Sequence, residues 1–314
     1  MQEKRKDTMK KLLAVLLICI FIGTSGNTYA MISDSIEESK VEESKLKVKK
    51  DTIGSSIAIS IYDIYRASSE EGITIKVGKK EKTTKKVVGS FDTKKGEVYF
   101  VPKLKDGFKG GFFTSGKGVY HSDKKGKLDR GWKKLKGNYY YFDRKTGKLA
   151  ISKMVDGIKV DKYGVAADDT ASKMRIGTYI SARKVVEKQT KPEDSKDDKL
   201  LKCYKWLEAL QYKQFRSFKS GYSAYPDSWD ALFADDIFKS NQGCCVSESA
   251  ALAYMAKECG YDDVILCSDT GHAWVVIDGR LYDPLFAEGR SFSENYNASF
   301  SDYRTADAPI TKKI

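Results

Sequence analysis

Three residue types that together carry out thiol chemistry occur in order near the C-terminus of the sequence. Two adjacent cysteines, Cys244 and Cys245, precede an alanine-rich segment that is typical of a helix. His272 follows 27 residues after Cys245, and Asp283 follows 11 residues after His272. The chain has 2 histidines and the other, His121, lies far upstream, so histidine chemistry in the C-terminal part would have to use His272.

The predicted local structure brings these side chains together. His272 starts a strand-like run, and the following Asp278-Gly279 pair is a strong hairpin signal. Asp283 at the end of the next strand then falls roughly opposite His272. A helix N-terminus lowers the pKa of a thiol, an imidazole can take its proton, and a carboxylate can hold the imidazole. The pattern therefore indicates a nucleophile, a base and an orienting group.

Other interpretations of the same residues remain open at this point. A lone histidine in a strand is often structural, and cysteines of an exported domain are often paired in disulfides. The cysteines beyond residue 30 are odd in number, so at least one lacks an intramolecular partner; they are Cys203, Cys244, Cys245, Cys259 and Cys267. A metal site has little support because no CxxC pair is present. No cofactor and no metal ion are predicted.

The stretch "GCCVSESAALAYMAKECGYDDVILCSDTGHAWVVIDGRLYDPLF" resembles the core of the transglutaminase-like superfamily. The resemblance lies in Gly-x-Cys opening a helix, His-x-Trp on a strand, and Asp-Pro after the next strand. It implies a papain-like fold that acts on amide bonds, with Cys245 as nucleophile, His272 as base and Asp283 as orienting group. Two residues depart from the family pattern near the nucleophile: Glu248 replaces an aromatic residue and Ser249 replaces an alanine.

The elements around these residues indicate an α+β domain over residues 167–314. Helical periodicity covers residues 172–190 and 198–215, where apolar residues recur every three or four positions. Three strand-like runs follow the alanine-rich helix, which places the helices before an antiparallel sheet.

A basic repeat segment is predicted over residues 72–166. Short aromatic runs alternate with Gly, Lys and Asp, and three aspartates mark copies of a hairpin unit: Asp123, Asp143 and Asp161. One hairpin cannot bury its aromatic residues alone, so neighbouring units should stack. The segment has 25 basic and 9 acidic residues, a net charge of +16. In an exported protein this charge favours an anionic polymer or a membrane surface as partner rather than nucleic acid, and a solvated lysine-rich surface is the alternative.

The best-formed copy, "GWKKLKGNYYYFDRKTGKLA", resembles the cell-wall-binding repeats of choline- and glucan-binding proteins. The resemblance implies adhesion to a wall polymer or polysaccharide through aromatic side chains, and the candidates are Trp132, Tyr139, Tyr140, Tyr141 and Phe142.

The N-terminus predicts export. Residues 1–30 have a basic start, the apolar run "LLAVLLICIFIG" and small residues before Met31, which is the pattern of a secretory signal peptide. Residues 31–71 are polar and are predicted to be a partly disordered spacer. The mature chain should lack a transmembrane segment and be extracellular and wall-associated. We therefore expect a secreted transglutaminase-like cysteine peptidase, amidase or transamidase that acts on a protein or peptide, or alternatively a non-catalytic wall-binding or adhesion protein with a degenerate enzyme fold.

Overall fold

The structure is a computed structural model that describes residues 72–103, 108–269, 271–299 and 310–314. The predicted signal peptide (residues 1–30) and spacer (31–71) lie outside these residues and stay predictions. Within the described ranges, no helix combines the length and the apolar composition needed to cross a membrane.

The first half of the described chain is built from β-hairpins, as the sequence predicts. Lys95-Gly96, Lys136-Gly137 and Asp156-Gly157 join their strands as two-residue turns in which both residues have positive φ. This conformation matches the twist of paired strands. The strands are β1 (Thr74–Val77), β2 (Lys80–Thr83), β3 (Lys85–Lys86), β4 (Gly89–Lys94), β5 (Glu97–Pro102), β6 (Gly111–Ser115), β7 (Gly118–Ser122), β8 (Gly131–Leu135), β9 (Asn138–Phe142), β10 (Lys153–Val155) and β11 (Ile158–Val160).

The three repeat-marking aspartates have the same structural role in each unit. Each Oδ1 atom accepts hydrogen bonds from two backbone N–H groups just downstream and so fixes the turn that follows a hairpin. The donors are Lys125 and Lys127 for Asp123, Lys145 and Thr146 for Asp143, and Tyr163 and Val165 for Asp161. The period seen in the sequence is therefore the period of the structure.

Each unit is also hydrogen-bonded to the unit before it. After the aspartate turn, the chain returns and donates a backbone N–H to the second strand of the preceding hairpin. These bonds run from Leu128 to Val98 (2.9 Å), from Leu149 to Val119 (2.8 Å) and from Ala166 to Tyr139 (2.9 Å). The predicted stacking of neighbouring hairpins is confirmed, and we call this stack the hairpin array.

The second half is mixed α+β, with helices before a small antiparallel sheet, as predicted. The sheet has the order β16-β15-β14-β17. The elements are α1 (Thr170–Gln189), α2 (Lys196–Leu207), β12 (Gln211–Tyr212), α3 (Phe218–Ala224), α4 (Trp229–Ser240), β13 (Gln242–Gly243), α5 (Cys245–Cys259), β14 (Val264–Ser268), β15 (Ala273–Ile277), β16 (Arg280–Tyr282), α6 (Pro284–Gly289), α7 (Phe292–Asn295) and β17 (Ile310–Lys313).

The predicted helix over residues 198–215 is too long. It ends at Leu207, because the next residues turn and then pair in parallel with β13, Gln211 opposite Gln242 and Tyr212 opposite Gly243. Periodicity continues past the end of the helix, but pairing with a distant strand decides the structure there. This pairing also fixes the chain that leads into α5.

Helix α5 lies at the centre of the second half. Most of its residues are buried, and it packs against α1, α2, α4 and the strands β14 and β15. Alanines occupy much of its surface, which allows neighbours to approach from several sides. Apolar residues on several sides of a helix suit such a covered position. The helix ends at Gly260, which has a φ of 107°.

The hairpin array and the helices share one core. Trp132, Tyr141 and Ile158 of the array pack in the same cluster as Ile176 and Tyr179 of α1. The boundary near residue 166 therefore lies in a continuous packed structure.

A buried ion-pair network crosses this shared core. Glu258 of α5 accepts from Arg144 of the array at 2.9 Å and from Arg183 of α1 at 2.7 Å. Arg144 also pairs with Asp156, which accepts from the Trp132 indole at 2.9 Å. Burial opposes ionisation of Glu258, but the two arginines outweigh it and hold its pKa below the usual range.

We predict that Glu258→Ala lowers the free energy of unfolding by about 3–5 kcal/mol, because it leaves two arginines largely buried without their shared partner. Urea denaturation is the measurement. Asp168→Ala is the matched control, since its carboxylate pairs with Lys173 at the exposed surface and should contribute less than about 1 kcal/mol. Equal losses in the two variants would contradict the prediction.

Candidate functional site

The two adjacent cysteines lie where β13 passes into α5. Gly243 has no room for a side chain: a Cβ atom there would lie 2.5 Å from Cβ of Ser247 and 2.6 Å from Cδ1 of Ile237. Cys244 is the N-cap of α5 with an extended backbone, and Cys245 is the first helical residue. The glycine of the Gly-x-Cys pattern thus permits the tight entry into the helix.

The two thiols have different surroundings. The Cys244 side chain is 5% exposed, and its Sγ lies 3.6 Å from Oγ of Ser247 within the first turn. Cys245 is only partly buried. Cys245 is therefore the more accessible of the two thiols, and its role as nucleophile stays a prediction.

The two adjacent thiols also affect each other's acidity. Hydrogen bonding from Cys245, opposed by burial and aided by Ser247, lowers the pKa of Cys244 to about 6. The same contact, together with burial, raises the pKa of Cys245. The backbone N–H groups of Ser247 and Val246 at the start of the helix make a smaller contribution to the lowered pKa of Cys244.

His272 and Asp283 are in direct contact. Nε2 of His272 lies 2.5 Å from Oδ2 of Asp283, and both side chains are buried. The Asp278-Gly279 turn between β15 and β16 forms as predicted, with Ile277 opposite Arg280. With the carboxylate at Nε2, the proton is held on that nitrogen and Nδ1 is the basic nitrogen of the ring.

Two further contacts fix this pair. The ring of Phe286 stacks on the imidazole of His272, with centroids 3.9 Å apart and planes 10° from parallel. Oδ1 of Asp283 accepts from the backbone N–H of Phe286 at 3.0 Å and caps α6, which has Pro284 in its first turn. The carboxylate therefore uses one oxygen for the helix and one for the histidine.

Ser249 joins the cysteine helix to the histidine strand. Its Oγ, one turn beyond Cys245, donates to the carbonyl of Ala273 at 2.9 Å, and Ala273 follows His272 directly. This bond brings the first turn of α5 to the start of β15. The charge of Asp283 also contributes to the raised pKa of Cys245. The three predicted residues thus belong to one region of the structure, with His272 and Asp283 in contact.

The sequence did not predict the roles of Ser249 and Phe286. Ser249 departs from the alanine of the resembled family pattern, and its position four residues after Cys245 places it on the same helix face. Phe286 stands three residues after a capping aspartate, and nothing in its local sequence points to an imidazole partner. Both roles arise from tertiary packing.

The aromatic residues predicted to bind wall polymers serve mainly as core. Trp132, Tyr140 and Phe142 are fully buried, Tyr141 is nearly so, and Tyr139 is half-buried beneath the Nζ of Lys134. The rings are covered because the array packs against α1 and because its hairpins stack on each other. Of the five predicted residues, Tyr139 is the one whose ring retains accessible surface.

Among the residues that the structure describes, no group of three His, Cys, Asp or Glu side chains is placed to hold a metal ion.

Comparison with known proteins gives limited matches. No protein-family model and no curated protein sequence matches the chain. The choline binding domain of Spr1274 from Streptococcus pneumoniae is 21% identical, with a TM-score of 0.23 over 25% of this chain and 94% of that domain. Choline binding protein F from the same species is 19% identical, with a TM-score of 0.18 over 31% of this chain and 40% of that protein. CbpJ from strain TIGR4 is 18% identical, with a TM-score of 0.18 over 31% of this chain and 41% of that protein. The likeness concerns the β-hairpin segment.

We predict that Ser249→Ala lowers the free energy of unfolding by about 1–3 kcal/mol and slows alkylation of Cys245, because it leaves the buried carbonyl of Ala273 without its donor. Urea denaturation and thiol labelling are the measurements. In the control Ser240→Ala, the lost hydroxyl also donates to a backbone carbonyl, but at an exposed helix end. If both variants lose the same stability and keep the same labelling rate, Ser249 does not join the two elements.

Proposed function

We propose that the chain is a secreted, wall-associated cysteine enzyme that acts on amide bonds of a protein or peptide through a thioester on Cys245. The observation that supports this function best is the buried His272–Asp283 pair, stacked by Phe286 and tied through Ser249 to the helix that begins with Cys245. The transglutaminase-like assignment is part of this proposal.

The chemistry would proceed in two displacements. Nδ1 of His272 takes the proton of the Cys245 thiol while the sulfur bonds to the carbonyl carbon of the amide. The imidazolium then gives the proton to the departing nitrogen as the C–N bond breaks. Water or a second amine next attacks the thioester carbon, with His272 taking the proton of the attacker, and the Cys245 thiol is released. Backbone N–H groups at the start of α5 would stabilise the oxyanion.

The acidities of the two thiols define how this site would be activated. Because the pKa of Cys245 is raised, its resting form is the neutral thiol. A preformed thiolate–imidazolium pair is then disfavoured, and proton transfer to His272 accompanies attack. Asp283 supports that transfer by holding the imidazolium once it forms. Removal of the thiol proton of Cys245 therefore depends on His272 rather than on the start of α5.

Thiol labelling tests the enzyme proposal. We expect iodoacetamide near neutral pH to label Cys245 selectively, and His272→Ala to slow this labelling by about 10²-fold or more, since a positioned base contributes at least that much. Peptide mapping by mass spectrometry identifies the modified residue. Cys244→Ser is the matched control, because it removes the neighbouring thiol and keeps the capping position polar. Slow labelling that is uniform among the cysteines, or insensitive to His272, would contradict the proposal.

A second candidate function, wall binding without catalysis, is supported by a groove in the hairpin array. The groove has a volume of about 480 Å³ and an apolar floor that includes Val119 and Leu149. Three exposed lysines, Lys117, Lys148 and Lys153, also line it, together with Asp143 and Thr146. Lysines around an apolar floor suit an anionic polymer with phosphate groups and a carbon backbone. A choline cage is less suited, because the tryptophan and most of the tyrosines of the best-formed repeat are buried.

We expect the mature chain to be retained by purified cell walls at low salt and released near 1 M salt, where screening is strong. Replacing Lys117, Lys148 and Lys153 by Gln should weaken retention roughly tenfold, if each exposed pair contributes up to about 1 kcal/mol. The control replaces three exposed lysines outside the array, Lys184, Lys188 and Lys219, and changes the net charge equally. Retention that is indifferent to salt, or weakened equally by both sets, would overturn the groove as the binding surface.

A further inference from the structure

Glu248 is a buried carboxyl group in the turn that carries the candidate nucleophile. It follows Cys245 by three residues in α5, and its side chain is 0% exposed. Neither Oε1 nor Oε2 has a hydrogen-bond partner among the residues that the structure describes. An ionised carboxylate without a partner is strongly disfavoured in such a place, so the group is kept neutral.

The surroundings of Glu248 are acidic rather than basic. Burial first, and then the charges of Glu288, Cys244 and Asp283, raise its pKa to about 9. Glu288 has a pKa raised to about 7 by burial and by Glu208. The charge of Glu248 contributes to the raised pKa of Tyr212 in β12. Asp236 of α4 pairs with Arg216 and accepts a hydrogen bond from Ser247. The remaining titratable groups around this turn are Cys245 itself and His272 before β15.

A neutral Glu248 and an ionised Glu248 would affect the sulfur in opposite ways. In the neutral form, Glu248 adds no negative charge beside Cys245. In the ionised form, a carboxylate in a poorly solvated position opposes the thiolate and the oxyanion, because like charges in low dielectric repel strongly. The position therefore links the protonation of Glu248 to the reactivity of Cys245.

We propose that Glu248 is a positioning residue that works as a neutral carboxylic acid, and that loss of its proton in alkaline solution suppresses the Cys245 thiol. The proposal rests on the proposed function, in which Cys245 is the nucleophile. It gives a role to the acidic residue that stands where the resembled family has an aromatic one. In this proposal Glu248 does not contact the substrate. It acts by remaining neutral, so that it adds no negative charge near the sulfur of Cys245.

The test is the pH profile of Cys245 alkylation by iodoacetamide, followed residue by residue from pH 6 to pH 10.5. In wild type, the rate should rise with thiolate formation and then level off as Glu248 ionises. In Glu248→Gln, the amide mimics the neutral acid but has no proton to lose, so the rise should continue. We expect the ratio of the rates at pH 10 and pH 7 to be roughly tenfold larger in Glu248→Gln than in wild type.

A second variant and a second readout guard against misfolding. Glu248→Met is of similar size and has no carboxyl group, so it should show the same continued rise. The urea midpoint provides an independent check. Glu248 keeps its proton in the folded chain at pH values where it is ionised in the unfolded chain. Its contribution to the stability of wild type is therefore lost as pH rises from about 4.5 to about 9. Both variants should lack this loss, and their advantage over wild type should grow across that window.

The outcomes separate the two proposals. If Cys245 is unreactive or unselective in every variant, the proposed function fails. If Cys245 is selectively reactive but wild type and Glu248→Gln have superimposable profiles, the function stands and the role of Glu248 is wrong. Glu288→Gln is a further control: it removes a charge that raises the pKa of Glu248, so the pH at which the rate levels off should move to a lower value.

Discussion

The burial of helix α5 is the constraint on which the rest of the structure depends. Helices, strands and the chain entering from β13 all cover it, so its position and rotation are fixed from several sides. Its first turn holds Cys245, Glu248 and Ser249, and its last turn holds Glu258. One rigid element therefore carries both the candidate nucleophile and the anchor of the hairpin array.

This arrangement explains why the array and the helices form one packed structure. The arginines that reach Glu258 come from two regions of the chain, Arg144 from the array and Arg183 from α1. The aromatic side chains of the repeat that contact this network are used as core. A wall polymer would then meet the lysine-lined outer groove rather than the rings that the repeat resemblance suggests.

Local signals in the sequence predicted local structure well. The Asp278-Gly279 pair predicts a tight turn because glycine and aspartate tolerate positive φ, and that turn sets the register that brings Asp283 to His272. The repeat aspartates predict turns because their side chains bind N–H groups a few residues downstream. Such features depend on a few adjacent residues and need no tertiary information.

Features set by distant contacts were not predictable. Burial of Trp132 depends on α1, and the end of α2 depends on pairing with β13. The difference in acidity between Cys244 and Cys245 depends on how the two folded side chains interact with each other. In each case the sequence supplies the right residue types, but their roles follow from packing between segments far apart in the chain.

The backbone bonds between hairpin units give the array a direction. Each returning segment donates to the hairpin before it, and the last of these segments, at Ala166, leads at once into the helices that bury Trp132 and Tyr141. One end of the stack is thereby closed by a folded domain, which removes an edge at which strands could add without limit. Hairpin units gained or lost at the N-terminal end of the array would change its length and leave the packing between the array and the helices unchanged.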